Sequence, residues 1–453
     1  MRPHLSLAHA LRINSSPSVA FVGAGGKTTA MFQLARELSG NEKQQPVIVT
    51  ATSHLGVWQT KLADQHVITA TAAPREDLQH GSKGVILITG EMDGERTKPI
   101  NNDLLNWLHQ FCGYHSIPLL IEADGSREKP LKGWAAHEPP IPSFADLVVQ
   151  VVGLSGIGKP LDDVYVHRPE LYSKLSGHRL GDLITPDTLV QVLTHRKGGL
   201  KNIPKHTRKV VLLNQADTEE LQSVAQGLIS SLIPAYDSVV ISNLLQKKIF
   251  AVNEPIAGII LAAGESKRFG QPKQLLDWKG EPFARVVAKT ALAAGLSPVV
   301  VVTGSNPDQV GSTVQDLKVT ILKNNEWKSG QGSSIRAGIK WLSEASPHAA
   351  VGGAIFLLAD QPQLTGSVLR ALVETHAEGL YPIVAPMVLD QRANPVLFDC
   401  TTFPDLLLLE GDVGGRAIFH KHHVEYLPWH DDRLLLDIDT PEMYQRLISD
   451  DSL

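Results

Sequence analysis

Apolar residues along this chain gather in short, nearly unbroken runs of Val, Ile and Leu, and between the runs they thin out to helical spacing. In the first half the runs are "SVAFVG", "PVIVTAT", "GVILITG", "PLLIEADG", "DLVVQVVG" and "KVVLLN". Unbroken runs, unlike alternating ones, predict strands buried on both faces of a parallel sheet. "TTAMFQLARELS" follows the first run and puts Met31, Leu34, Ala35 and Leu38 on one helical face. The order restarts at "IAGIILAAG" and continues through "FARVVAKTALAAG", "PVVVVTG", "GSSIRAGIKWL", "GAIFLLAD" and "PIVAPMV". "LLQKKIFAVNEP", ending at Pro255, reads as the connection. The expected fold class is α/β with two domains, 1–250 and 255–453, each a mostly parallel sheet flanked by helices.

Composition changes this picture little. The chain has 453 residues and a formal charge of −5, which gives no overall attraction for nucleic acid but permits local phosphate sites. Its two cysteines, Cys112 and Cys400, lie far apart with no CxxC, so no disulfide framework is expected and a reducing cytoplasm is the expected home. No secretory leader is read at the start, no run reaches the length of a membrane span, and no membrane partner is expected.

The chemistry concentrates where runs end. In "GIILAAGESKRFGQPKQLL", Gly264 and Gly270 let backbone approach phosphate, and Arg268 and Lys273 place two cations for a triphosphate; a βα turn with solvated cations would read the same way. "AIFLLADQPQL" puts Asp360 just past the C-terminal end of a buried run, the edge where open α/β sheets bind ligands. A carboxylate there suits Mg²⁺, and also suits a helix N-cap. In "LLLDIDTPEMY", Asp437 and Asp439 would share one face of a strand, and one of them would complete a metal site; alternatively Asp439 or Thr440 caps a helix with Pro441 in its first turn.

"LAAGESKRFGQPK", "VVVVTG", "NNEWKSGQGSSIRAGI", "LLADQPQL", "NPVLF", "EGDVGGRAIF" and "DIDTPEMY" together resemble the MobA-like nucleotidyltransferases that attach a nucleotide to molybdopterin, and the resemblance covers 256–453. The subfamily it is most similar to is the molybdenum cofactor cytidylyltransferases, because Leu261, Ala262, Ala263 and Gly264 stand where guanylyl relatives usually read LAGG. The resemblance implies a Rossmann-like domain that transfers CMP from CTP to Mo-molybdopterin and releases pyrophosphate, with Mg²⁺ held by Asp360 and by Asp437 or Asp439. Arg268 and Lys273 would hold the triphosphate. Gly330, Gly332, Ser333 and Ser334, in a loop that opens a helix, would bind nucleotide or pterin phosphate through N–H groups. Asn394 stands where relatives often carry histidine. The Ala263 methyl would narrow the space beside the base and favour a pyrimidine. Two other readings remain: transfer to a different phosphorylated acceptor, or a chaperone that delivers finished cofactor to an apo-molybdenum hydroxylase.

In the first half, "AFVGAGGKTTAMFQLA" resembles a phosphate-binding loop, with Gly23, Gly25, Gly26, Lys27 and Thr28 as candidates, although the spacing is shorter than that of the usual P-loop. Glu122 and Asp124 end a buried run, and Asp124 is the candidate metal carboxylate. "VVLLNQAD" places Asn214 and Asp217 like a guanine-reading motif, with Gln215 in place of its lysine. With "TATSHLG", "EADGSREKPLKGWAAHEP", "VVGLSGIGKPL" and "HRPE", these stretches resemble the YqeC-like accessory proteins of selenium-dependent hydroxylases over roughly 17–245. The loop leaves two readings open, a P-loop-like site for ATP or GTP or a tight βα turn with a capping threonine, and the resemblance implies a role in the same cofactor pathway. Among weaker signals, His420 to His423 read as an exposed helix end before a metal site, Asp162, Asp163 and His167 as turn or hydrogen-bonding chemistry, and Trp134 and His137 as pocket or core.

Overall fold

Every residue of Ser18–Gly23, Val47–Ala51, Val85–Thr89, Leu119–Glu122 and Leu147–Gly153 is buried, on both faces of its strand. A mostly parallel sheet covered by helices on each side satisfies such a pattern, and the computed structural model has a helix-covered sheet in each half of the chain. It describes residues 5–40, 45–69, 78, 83–266, 269–345 and 351–449. These form two compact units, Met1–Asn253 and Glu254–Leu453.

The first unit is built on strands β1 (Ser18–Gly23), β2 (Val47–Ala51), β3 (Gln65–Ile68), β4 (Val85–Thr89), β5 (Leu119–Glu122), β6 (Leu147–Gly153), β7 (Arg208–Asn214), β8 (Ser238–Asn243) and β9 (Lys248–Asn253). They make a nine-stranded sheet in the order β9-β8-β7-β6-β1-β5-β2-β4-β3, parallel except for β9. Helix α1 (Lys27–Ser39) leaves β1 and buries Met31, Phe32, Leu34 and Ala35, so Phe32 takes the core place expected of Leu38. The stretch expected as a connection is instead β9, antiparallel to β8. Its Ala251 and Val252 are buried, and a hairpin needs only the short turn at Leu244–Lys247.

The second unit contains β10 (Ile256–Ala262), β11 (Val299–Thr303), β12 (Thr320–Lys323), β13 (Gly353–Leu358), β14 (Ile383–Val388), β15 (Gln391–Arg392), β16 (Val396–Asp399) and β17 (Val424–Pro428). The order is β12-β11-β10-β13-β16-β14-β15, with β17 parallel to β14. This sheet is mixed: β12, β11, β10 and β13 run parallel, while β16 is antiparallel to both β13 and β14. Helices α2 (Phe283–Ala293) and α3 (Gly366–Gly379) pack on one face, and α4 (Gln331–Ala345) on the other. Among the described residues no helix is long and apolar enough to cross a membrane. Both cysteines are free thiols.

Candidate functional site

In the second unit the parallel strands β11, β10 and β13 all end at one edge, so the residues after each meet there. Leu261 and Ala262 close β10, and the chain turns through Ala263 and Gly264. The Gly264 carbonyl accepts from Gln274 Nε2 (3.0 Å) and Ser305 Oγ (2.9 Å), and Ser305 N donates to the Ala263 carbonyl (3.1 Å). These bonds tie the loop after β10 to the loop after β11. Gly304 is what lets them touch: a Cβ there would lie 2.7 Å from the Ala263 methyl carbon and 2.7 Å from Trp327 Cβ. The Ala263 methyl therefore packs against Gly304 and is 7 % exposed. Gly270 turns the loop back with a φ of 76°. Arg268 lies outside the described residues.

Lys273 follows, and its ammonium stands between two carboxylates, 2.7 Å from Asp439 Oδ1 and 3.4 Å from Asp360 Oδ2. Asp360 sits just past β13 at the sheet edge, as its place in the sequence predicts. Burial raises its pKa, and the Lys273 charge opposes that rise. Asp439 arrives from the far end of the chain. The stretch Asp437-Ile438-Asp439 is not a strand, yet its side chains still alternate, because Ile438 is buried with Phe269, Leu276, Trp278, Phe283 and Leu447. The hydroxyl of Tyr444, on α5 (Pro441–Ser449), donates to the Asp277 carbonyl (2.9 Å) and fixes the same contact. Asp437 has another partner, accepting from Gln361 Nε2 at 3.1 Å.

The glycine-serine loop is organised differently from the expectation. Gln331 N donates to Asp412 Oδ1 (3.2 Å), Gly332 N to the Gly411 carbonyl (3.1 Å) and Ser333 N to the Gly330 carbonyl (3.1 Å). The first-turn N–H groups of α4 expected to hold a phosphate thus already have protein acceptors. Ser333 and Ser334 are buried and both accept from Asn324 Nδ2, at 2.8 and 3.0 Å. Gly330 is pressed on the same segment, since a Cβ there would lie 2.4 Å from Asp412 N. Asn394 lies half-buried on the loop joining β15 to β16.

The first unit brings its candidates together at the carboxyl ends of β5, β1, β6 and β7. Gly23, Gly25 and Gly26 have φ of 96°, 79° and 122°, and Gly25 is so close to β6 that a Cβ would lie 2.2 Å from Gly153 N. Lys27 Nζ donates to the Gly23 carbonyl (2.8 Å) and Ser126 Oγ (3.2 Å). Thr28 Oγ1 donates to Glu122 Oε2 (2.8 Å) and accepts from Gln59 Nε2 (3.1 Å). Asp124, the expected metal carboxylate, braces the loop instead: it accepts from Gly23 N (3.1 Å) and pairs with Lys132 (2.8 Å) and Lys27 (3.4 Å), its side chain wholly buried. Glu122, beside Thr28, is one of four glutamates on the cleft wall, with Glu95, Glu128 and Glu138. Burial raises its pKa, against the pull of Lys27 and Thr28.

Asn214 is also a brace. Its Nδ2 donates to the Gly25 carbonyl (2.8 Å), and its Oδ1 accepts from Leu244 N (3.0 Å) and Ser242 Oγ (3.3 Å). Asp217 is exposed and lies off the cleft, whereas Gln215 lines it. The cleft has a volume of about 1020 Å³. The sequence reading did not single out several residues on its wall, among them Arg96, Arg127, Arg168 and Trp58; single side chains in loops and short elements carry no periodic signal. His167 also lines it, while Trp134 is a core residue and His137 is exposed. Asp162 caps a turn, accepting from Val164 N at 2.9 Å. Among the described residues no three His, Cys, Asp or Glu side chains are grouped to hold a metal; His422 and His423 pair with Asp405 and Glu425.

Comparison with known proteins matches a different family in each unit. The MobA-like NTP transferase domain family matches residues 258–426, and the YqeC protein family matches residues 19–170. The chain is 31% identical over 202 residues to a nicotine blue oxidoreductase of Paenarthrobacter nicotinovorans, covering 43% of this chain and 96% of that protein. It is 32% identical over 199 residues to the purine catabolism protein PucB of Bacillus subtilis (strain 168), covering 42% and 94%. A probable molybdenum cofactor guanylyltransferase of Bacillus cereus (strain ATCC 10987 / NRS 248) is 30% identical over 143 residues, covering 31% and 66%. The first unit matches the YqeC protein family over residues 19–170, and through its second unit the chain belongs to the MobA-like NTP transferases and is a nucleotidyltransferase.

Proposed function

We propose that the second unit transfers CMP from CTP to the terminal phosphate of Mo-molybdopterin, in the maturation of the cofactor for a molybdenum hydroxylase. A phosphate oxygen of the pterin attacks the α-phosphorus of CTP. The bond from that phosphorus to the bridging oxygen breaks, pyrophosphate leaves, and a new phosphoanhydride joins CMP to the pterin. The substrate supplies the nucleophile, so the protein's work is positioning and charge neutralisation. The observation that carries this reading is the placement of Lys273 between Asp360 and Asp439 at the sheet edge, beneath the loop after β10. Lys273, with Arg268, would hold the triphosphate and steady the leaving pyrophosphate.

The two carboxylates already converge on a cation, the Lys273 ammonium, so the donor set fits Mg²⁺, which takes one or two carboxylates and completes its shell with substrate phosphate. Asp360 and Asp439 would hold it, and when bound it would neutralise charge on the triphosphate. Asp437, engaged by Gln361, is the lesser candidate. A molybdopterin acceptor is supported by the motifs of 256–453 and by the relative named as a molybdenum cofactor guanylyltransferase. That relative's name also makes GTP the donor to test against CTP.

Pyrophosphate release is the measurement, with Mo-molybdopterin as acceptor and CTP or GTP as donor. CTP should be used at least tenfold better by kcat/KM, about 1.4 kcal/mol of discrimination. Asp360→Asn should lower kcat at least 100-fold, about 3 kcal/mol, at saturating Mg²⁺. Equal use of both donors would remove the cytidylyl assignment. Near-normal turnover by Asp360→Asn would remove Asp360 from the site, and release with a sugar phosphate but not the pterin would redirect the acceptor.

A further inference from the structure

We propose that the cleft of the first unit is a second nucleotide site, binding a Mg²⁺–nucleoside triphosphate with the metal seated between Thr28 and Glu122 and with no selection for guanine. It is separate from the transferase site in residues and in strands.

The phosphate seat comes first. The first-turn N–H groups of a helix have no carbonyl within the helix to meet. In α1 these belong to Lys27 and Thr28, and both line the cleft together with Gly26. Gly26 has to be glycine, since its φ is 122° and a Cβ would lie 2.5 Å from Asn214 Nδ2. The loop is held open by bonds from outside it: Asp124 on Gly23 N, Asn214 on the Gly25 carbonyl and the Lys129 carbonyl on Gly25 N. This is a preformed cradle for an anion, with the helix dipole aimed into it.

Two further observations point to a ligand. Ser53 lines the cleft, and its Oγ is shielded from solvent with no hydrogen-bond partner among the described residues. A buried hydroxyl without a partner is costly unless a bound group meets it. Second, guanidinium groups line the cleft beside the glutamates Glu95, Glu128 and Glu138, and Glu138 pairs with Arg168. Arg127 and Arg168 both line it, at positions with left-handed φ of 50° and 61°. Arg96 adds a third guanidinium. A cleft of about 1020 Å³ with this lining is large enough for a whole nucleotide.

The metal seat follows from the Thr28–Glu122 bond. A threonine hydroxyl after the loop lysine and a carboxylate ending the neighbouring strand meet at 2.8 Å. Mg²⁺ takes such a pair and fills its shell with phosphate oxygens and water. Lys27, now turned back onto the Gly23 carbonyl, is the cation within reach of the bound phosphates. Trp58, 56% exposed on the same wall, offers a face on which a base can stack whatever its identity. The residues that would read guanine are elsewhere: Asn214 is engaged by the loop and Asp217 lies off the cleft.

The test is calorimetric titration of the full chain, carrying Lys273→Met to weaken the transferase site, with slowly hydrolysed ATP and GTP analogues and with tripolyphosphate, each with and without Mg²⁺. Expected is one site that binds both nucleotides within about tenfold of each other, consistent with stacking rather than edge reading. Omitting Mg²⁺ or introducing Thr28→Val, which keeps the side-chain shape, should each weaken binding at least tenfold. Lys27→Met should do the same. Asp217→Ala should change nothing. Circular dichroism melts establish that each variant is folded, and the Mg²⁺ dependence of the unaltered first unit needs no variant at all. Unchanged affinity in both Thr28→Val and Lys27→Met would overturn the site. A hundredfold preference for GTP lost in Asp217→Ala would overturn the lack of base selection. Tripolyphosphate binding as tightly as the nucleotides would overturn the stacking role of Trp58.

Discussion

Lys132 shows how single charges are tolerated inside this protein. Its side chain is wholly buried, burial lowers its pKa, and Asp124 at 2.8 Å and Glu138 at 3.3 Å counter that effect. Glu138 in turn is pushed upward by burial, but the guanidinium of Arg168 and the ammonium of Lys132 outweigh this and leave it below the usual range. His167 beside them is relieved only in part, because the Glu138 charge opposes the shift without overcoming it. Burial first, then the charges of Arg168 and Lys132, lower its pKa to about 4. The unfolded residue would take a proton near 6.5, so folding excludes that proton. The contribution of His167 to stability is complete above pH 6.5 and is lost as pH falls toward about 4. The full shift corresponds to roughly 3 kcal/mol, and solvent screening at the cleft-lining ring lowers the expected loss to roughly 1–2 kcal/mol. Amide hydrogen exchange in β6, followed over that range, should show it, and His167→Gln should flatten the dependence. An unchanged acid slope in His167→Gln would mean that other groups, the carboxylates of the cleft first, carry the acid sensitivity.

At the scale of elements, the transferase edge depends on loops pressed together. The turn after β10 and the turn after β11 touch because Gly304 has no side chain. Gly304→Ala would bring a Cβ to 2.7 Å from both the methyl carbon and the carbonyl oxygen of Ala263, which are not the far end of any flexible side chain. The loop carrying Ala263 and Gly264 must then move. Displacement of that kind in a positioning loop costs roughly 100-fold in rate. Gly304→Ala should therefore lower kcat/KM for the nucleotide at least tenfold while circular dichroism stays native, whereas Gly311→Ala, whose Cβ would meet only Ile321 at an ordinary 3.6 Å, should leave rate intact. Equal rates for both variants would show that the loop adapts. The same contact revises the steric account of base choice, because the Ala263 methyl faces Gly304; its influence on the donor would act through the spacing of two loops.

At the scale of the molecule, each unit has its own sheet and its own core, with buried clusters on both faces of the second sheet drawn wholly from 256–434. Domains of this size fold alone when the core is complete. Residues 254–453 expressed separately should thus release pyrophosphate with a KM for CTP within about threefold of the full chain, a difference of ~0.6 kcal/mol. Loss of transfer by a folded 254–453 would show that residues of the first unit complete the active site.

Much of this was legible in the residues alone. Runs of branched side chains announced the central parallel strands, since local propensity and two-sided burial favour the same residues there. Glycine followed by lysine at the end of the first run of each half announced a turn at the carboxyl edge of each sheet, and Asp360 could be placed because a strand's end is visible as the end of an apolar run. Strands at the sheet margins were less visible: β9, half polar and half buried, reads as a linker because an edge strand has one neighbour and fewer apolar requirements. Tertiary structure alone decided the rest. Asp124 and Glu122 are two residues apart, and only the approach of Gly23, Lys132 and Thr28 makes one a brace and the other a cleft carboxylate. Asp439 reaches Lys273 across 166 residues of chain because Ile438 is buried beside Phe269 and Trp278. Sequence patterns carry the period of a local element; which side chains meet across distant elements is set by packing, and packing leaves no period to read.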